Sequence, residues 1–213
     1  MEVIPAIISD SYEDFEKKVR SVEPYVDRVH LDIMDGVLVS NRTITGIEEI
    51  NKINTRLNFD VHLMVRKPQY SFGEWFDTKA DRFFVHAESD VDIESFIRQA
   101  RSKNKTPGVV LNPGGDADRL KSFMHLISDI QFMTVNPGYY GNYFIESVLP
   151  QINAFHMNYP HVKIYVDGGM NPDTAKRAVA VGASGIISGS YIFKHPQGVK
   201  AGIEEIKKAI NHF

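Results

Sequence analysis

A chain of 213 residues with 43% hydrophobic and 24% charged content has the composition of an ordinary globular protein and the length for one sizeable core. A formal net charge of −3 gives no electrostatic reason to bind nucleic acid or an anionic membrane, and the absence of cysteine excludes disulfides and thiolate metal ligands. No run approaches the roughly 20 apolar residues of a bilayer span, and no basic segment leads into a long apolar stretch at the N-terminus, so a cytoplasmic location is expected.

Short β-branched runs alternate with amphipathic stretches along the whole chain. Strands are expected near residues 3–8, 27–33, 58–63, 82–86, 107–111, 130–135, 162–166 and 185–188. After the first, Ser11 with Asp14 three residues on predicts a helix start, and Tyr12, Phe15, Val19 and Val22 form its apolar stripe. Ile93, Phe96, Ile97 and Ala100 make a second stripe, and Val199, Ile203, Ile206 and Ile210 the last. Asn171-Pro172 reads as a cap followed by proline at the first helical position. Strand starts recur at about 25 residues, the length of one βα unit. Eight such units predict an α/β chain folded as a (β/α)₈ TIM barrel, one domain over residues 1–213, with an open doubly wound sheet as the weaker alternative.

In such a barrel the chemistry sits at the C-terminal ends of the strands. Three stretches put ionisable groups there: His30-Leu31-Asp32-Ile33-Met34-Asp35-Gly36, Asp60-Val61-His62-Leu63-Met64-Val65 and Tyr165-Val166-Asp167-Gly168-Gly169. Alternation puts His30 and Asp32 on one face of their strand and Asp60 and His62 on one face of theirs. Converging strands would bring two histidines and two aspartates around one divalent metal, a combination suited to proton chemistry beside a carbonyl. Asp60 is expected in the ring interior and Asp35 in the following turn. His86-Ala87-Glu88 is left without a role, and His125, His156, His161, His195 and His212 are expected at the surface.

With the strand ends laid out, the chain resembles the ribulose-phosphate 3-epimerase family nearly end to end. The matching segments are PAIIS, HLDIMDGVLVSN, HLMV, VHAES, GVVLNP, MTVNPGYYG, VDGGM and SGSYIF, in the family's order and spacing. The resemblance implies a (β/α)₈ barrel that inverts C3 of a ketose phosphate with one bound divalent metal: Zn, Fe, Mn or Co. His30, Asp32, His62 and Asp167 match its metal ligands, and Asp32 and Asp167 also match its two acid/base carboxylates. Met34, Met64 and Met133 match methionines bordering the reacting carbons. The loops holding the substrate phosphate correspond to Gly138, Tyr139, Tyr140 and Gly141, to Gly168-Gly169, and to Gly189-Ser190. A homo-oligomer acting on a small-molecule ketose phosphate, without nucleic acid or membrane partners, is also implied.

Three positions depart from the family pattern: Ala6 stands for a serine, Ser40 for a proline, and Tyr140 for a small residue of the phosphate loop. They leave the acid/base pair intact and bear on the sugar. Ribulose 5-phosphate and xylulose 5-phosphate are the expected pair, with a six-carbon ketose phosphate such as allulose 6-phosphate as the alternative. A non-catalytic sugar-phosphate binder is the reading of another class. Related barrel decarboxylases and aldolases carry Asp-x-Lys-x-x-Asp after the third strand, where this chain has His62 for the lysine and Val65 for the second aspartate.

Overall fold

Short β-branched runs alternating with amphipathic stretches give parallel strands whose two faces are both covered. The computed structural model of the chain describes residues 1–138 and 141–211. Its strands are β1 (Glu2–Ile7), β2 (Arg28–Met34), β3 (Asn58–Met64), β4 (Arg82–His86), β5 (Thr106–Leu111), β6 (Asp129–Met133), β7 (Lys163–Asp167) and β8 (Gly185–Ser188). Each pairs in parallel with the next, and β8 closes on β1 as a barrel. The doubly wound alternative is excluded by that closure. Strand bounds lie within two residues of those expected from the sequence, the largest difference being the end of β6.

Between the strands run α1 (Tyr12–Val22), α2 (Ile47–Lys52), α3 (Phe72–Phe76), α4 (Ile93–Ser102), α5 (Val148–Asn158), α6 (Pro172–Ala180), α7 (Ser190–Phe193) and α8 (Val199–Ile210). The crossover from β5 to β6 is a 3₁₀ helix, Ala117–Leu126, capped by Asp116 accepting from Asp118 N–H. Ser11 caps α1 by accepting from Asp14 N–H, and Phe15, Val19 and Val22 are buried beneath it. Asn171 caps α6 with Pro172 at its first position. Among the described residues no helix is long and apolar enough to cross a membrane.

The main apolar core lies between barrel and helices, where Val29, Leu31 and Ile33 of β2 and Phe59, Val61 and Leu63 of β3 point outward. The complementary residues fill the barrel in layers. At the N-terminal end is an ionic plug: Asp60 Oδ1 accepts from Arg28 Nη1 and from Arg82 Nε, both at 2.7 Å. Arg28 also grips Asp81 bidentately at 2.7 and 2.8 Å, and Arg82 donates to the Tyr165 hydroxyl. Above it lies an apolar layer containing Ile4, Ala6, Phe84, Val110 and Ile187. Two glycines make room for it: a Cβ on Gly108 would stand 2.3 Å from the Phe84 ring, and one on Gly185 would stand 2.6 Å from that of Tyr165. This lower half is a packed platform, and the polar groups of the upper half rest on it.

Candidate functional site

The register of β2 and β3 sets His30 beside Asp60, Asp32 beside His62 and Met34 beside Met64, so one face of this strand pair stacks three rungs of candidate site residues. Met133 of β6 sits beside Asp167 of β7 in the same way. These strands bring His30, Asp32, His62 and Asp167 together, all buried, with one donor atom from each within 4.8 Å of the others. His62 Nδ1 lies 2.9 Å from Asp32 Oδ1 and 3.7 Å from Asp167 Oδ2; His30 Nε2 lies 3.6 and 3.9 Å from the same two oxygens.

Burial and charge pull these groups apart. Burial drives the His62 imidazole down to about 3 in spite of Asp32, so the ring is neutral. Burial, with the Asp32 charge beside it, pushes the Asp167 carboxyl up to about 7. Burial also opposes the charged form of His30, but the carboxylates of Asp60, Asp32 and Asp167 around it outweigh that and leave it raised. Asp60 is held below the usual carboxylate range: His30, Arg82 and Arg28 outweigh its burial.

Both ring nitrogens of His30 are buried without a hydrogen-bond partner. A buried imidazole without a hydrogen bond is costly, and a cation among the four donors would give its Nε2, which faces Asp32 and Asp167, a partner. Two imidazole nitrogens and two carboxylate oxygens are a mixed set suited to a divalent transition metal. The donor set therefore fits such an ion.

The mouth above is lined by Met34, Met64 and Met133, by Gly138, Gly141, Gly168, Gly169, Gly189 and Ser190, and by Ala6. Tyr139 and Tyr140 lie outside the described residues. Gly168 has φ +110°, and a Cβ there would stand 2.4 Å from Val135, so this turn admits only glycine. Thr134 secures it, its hydroxyl donating to the carbonyls of Asp167 at 3.0 Å and Gly168 at 2.6 Å. Across the mouth, Asn41 Nδ2 donates to Gly138 O at 2.9 Å and joins the loops after β2 and β6. Asp35 stays out of the site: it accepts from the N–H groups of Val37, Leu38 and Arg66 at 2.8–2.9 Å and fixes its own loop.

Two buried neighbours were not assigned from sequence. Gln131 Nε2 donates to Asp167 Oδ2 at 2.9 Å, and His86 Nε2 meets His62 Nε2 at 2.8 Å. Alternation could have found Gln131, since it stands two residues before Met133 on an interior face. Of the histidines expected at the surface, His125 and His161 are exposed, and His156 is half-buried. His212 lies outside the described residues. The His195 side chain is 7% exposed, 3.3 Å from the exposed Glu205, which corrects that expectation.

Comparison with known proteins agrees with this geometry. The profile of the Ribulose-phosphate 3 epimerase family matches residues 2–193. The chain belongs to that family. The ribulose-phosphate 3-epimerase of Bacillus subtilis is 33% identical over 215 residues, covering 97% of this chain and 98% of the relative. That of Synechocystis is 32% identical over 208 residues, covering 93% and 90%. Among solved structures, 3-hexulose-6-phosphate synthase from Salmonella typhimurium superposes with a TM-score of 0.75 at 18% identity, covering 100% and 99% of the two chains. Orotidine 5'-monophosphate decarboxylase from Sulfolobus solfataricus gives 0.66 at 15%, covering 99% and 98%. At that identity the likeness is one of fold. The family is one of isomerases.

Proposed function

We propose that this chain is a metal-dependent epimerase that inverts C3 of a ketose phosphate, interconverting ribulose 5-phosphate and xylulose 5-phosphate. The observation that carries the reading is the buried convergence of His30, Asp32, His62 and Asp167 at the C-terminal end of the barrel. Inversion beside a ketone removes a proton from one face of the carbon and returns one to the other, which requires two acid/base groups. Asp32 and Asp167 fill those roles from β2 and β7. In the metal-free chain burial and the Asp32 charge push the Asp167 carboxyl up, a direction that favours its protonated form.

His30, Asp32, His62 and Asp167 would hold the divalent ion. When bound, such an ion supplies Lewis-acid stabilisation for the charge that develops on the substrate oxygens during proton removal. Met34, Met64 and Met133 line the mouth with groups that exclude water and have no acidic proton to donate to the intermediate. The backbone at Gly138, Gly141, Gly168, Gly169, Gly189 and Ser190 would receive the phosphate, as in other barrels that bind it beyond strands 7 and 8. The pentose is favoured because the relatives that match along their length carry ribulose-phosphate in their names.

Turnover of ribulose 5-phosphate in D₂O tests the reading. Solvent deuterium should enter C3 of the product, and Asp32→Asn and Asp167→Asn should each lower kcat by at least roughly 10²–10⁴-fold. Product formed without deuterium at C3 would sink two-base proton exchange. A panel of five- and six-carbon ketose phosphates decides chain length, with the higher kcat/KM expected for the pentose.

A further inference from the structure

His86 and Glu88 close a chain of buried groups behind His62. His86 ends β4 fully buried, and its Nε2 lies 2.8 Å from His62 Nε2. The two ring planes are within 16° and the centroids 4.9 Å apart. Rings stacked face to face come no closer than roughly 3.5 Å, so a 2.8 Å contact places them nearly edge to edge, the arrangement of an N–H···N hydrogen bond. On the far side, His86 Nδ1 faces Glu88 Oε2 at 3.6 Å, and both atoms are buried without another partner.

A neutral imidazole has one N–H and one lone pair, so each histidine of the pair donates once and accepts once. With both rings neutral, two proton arrangements satisfy the 2.8 Å contact. In one, His86 donates to His62, which leaves a bare Nδ1 of His86 facing the Glu88 carboxylate, lone pair against lone pair. In the other, His62 donates through Nε2, His86 accepts there, and the His86 Nδ1–H points at Glu88. Only the second gives the two orphaned atoms each other. It also strips the proton from His62 Nδ1, the atom that faces Asp32 at 2.9 Å and Asp167 at 3.7 Å. A lone pair facing two carboxylates is unfavourable unless a cation lies among them.

We propose that His86 and Glu88 are positioning residues that fix His62 in the tautomer with its proton on Nε2, so that Nδ1 offers its lone pair to a divalent cation held with His30, Asp32 and Asp167. The proposal rests on the metal-centre reading above. It assigns His86 and Glu88 the work that outer hydrogen-bonding partners do at histidine–metal sites, where losing such a partner costs about 10–100-fold in metal affinity.

The test uses the whole chain with histidine labelled by ¹⁵N. In the Zn²⁺-loaded protein, long-range ¹⁵N–¹H spectra should show His62 protonated on Nε2 and His86 on Nδ1. A loaded protein with the proton on His62 Nδ1 overturns the proposal without any variant. Separately, Co²⁺ affinity measured by chelator competition should fall about 10–100-fold in His86→Phe and Glu88→Leu. His86→Gln, whose amide accepts from His62 and donates to Glu88, should recover wild-type affinity within about threefold, a rescue that a space-filling role for His86 does not predict. Wild type that binds Co²⁺ no more tightly than the Phe and Leu variants overturns the relay alone. Wild type that takes up neither Zn²⁺ nor Co²⁺ overturns the metal centre and the relay with it.

Discussion

The Phe84 ring occupies the space in front of Gly108, so a Cβ on that glycine would stand 2.3 Å from the ring. Phe84 has little room to retreat: its ring lies 5.8 Å from that of His30 and 5.6 Å from that of Tyr165. Gly108→Ala is therefore an overpacking change in a closed interior and should cost about 1–3 kcal/mol in urea denaturation. Displacement of Phe84 toward His30 would also disturb the site, so activity should fall further than the folded fraction does. A variant as stable and as active as wild type would show that the interior yields more easily than its packing implies.

Stability of the chelated protein should carry the signature of Asp167. Its carboxyl is pushed up to about 7 by burial and by Asp32, whereas an unfolded aspartate titrates near 3.8. Between those values the folded state binds the additional proton, so this group's contribution to stability falls as pH rises from about 4 to about 7. His62, held down to about 3, contributes a slope of opposite sign up to its ordinary range, so a single pH profile mixes the two. The difference between wild type and Asp167→Asn isolates the carboxyl. In the presence of chelator, the variant should gain on wild type steadily from about pH 4 to pH 7. A constant difference across that range would mean that Asp167 titrates normally.

The barrel was legible because eight short β-branched runs at regular spacing, alternating with amphipathic stretches, leave few other folds, and the strand ends they marked are the ones that meet. Alternation placed His30 with Asp32 and His62 with Asp60, and the family resemblance singled out His30, Asp32, His62 and Asp167 as the set. The hydrogen bonds of Gln131 and His86 could not, since their partners are 36 and 24 residues away and depend on which strands close the ring. His195 was misplaced for a related reason. It follows a four-residue helix, α7, and its side chain packs beside Gly202 of α8, a contact between elements that no local pattern records. The 3₁₀ crossover Ala117–Leu126 likewise lacks a clean helical stripe, with Leu120 and Met124 its only buried residues.

Asp60 should prove indispensable to the fold. It is fully buried and takes hydrogen bonds from two arginines, Arg28 and Arg82, which are themselves 18% and 7% exposed at the side chain. Removing one partner of a buried ion pair leaves the remaining charge without compensation, at a cost of about 3–5 kcal/mol. Asp60→Ala should lower the urea midpoint accordingly. Asp60→Asn retains an oxygen acceptor and should lose less. Equal losses in the two variants would show that charge, not hydrogen bonding, dominates the plug.

Gln131 should matter to turnover more than to folding. Its amide donates at 2.9 Å to Asp167 Oδ2, the same oxygen that faces His30 and His62, while its own Oε1 has no partner. A hydrogen bond to a charged group contributes about 1.5–3 kcal/mol, so losing this one should cost roughly 10–100-fold where the carboxylate acts. Gln131→Leu preserves most of the volume and removes the unsatisfied carbonyl along with the donor, so the loss of stability should stay below about 3 kcal/mol. The expected result is a fall in kcat of that size with KM nearly unchanged, because Gln131 is fully buried behind Asp167 and is absent from the lining of the substrate mouth. If KM rises while kcat holds, Gln131 shapes substrate binding through the neighbouring Met133, whose sulfur lies 3.4 Å from its amide nitrogen.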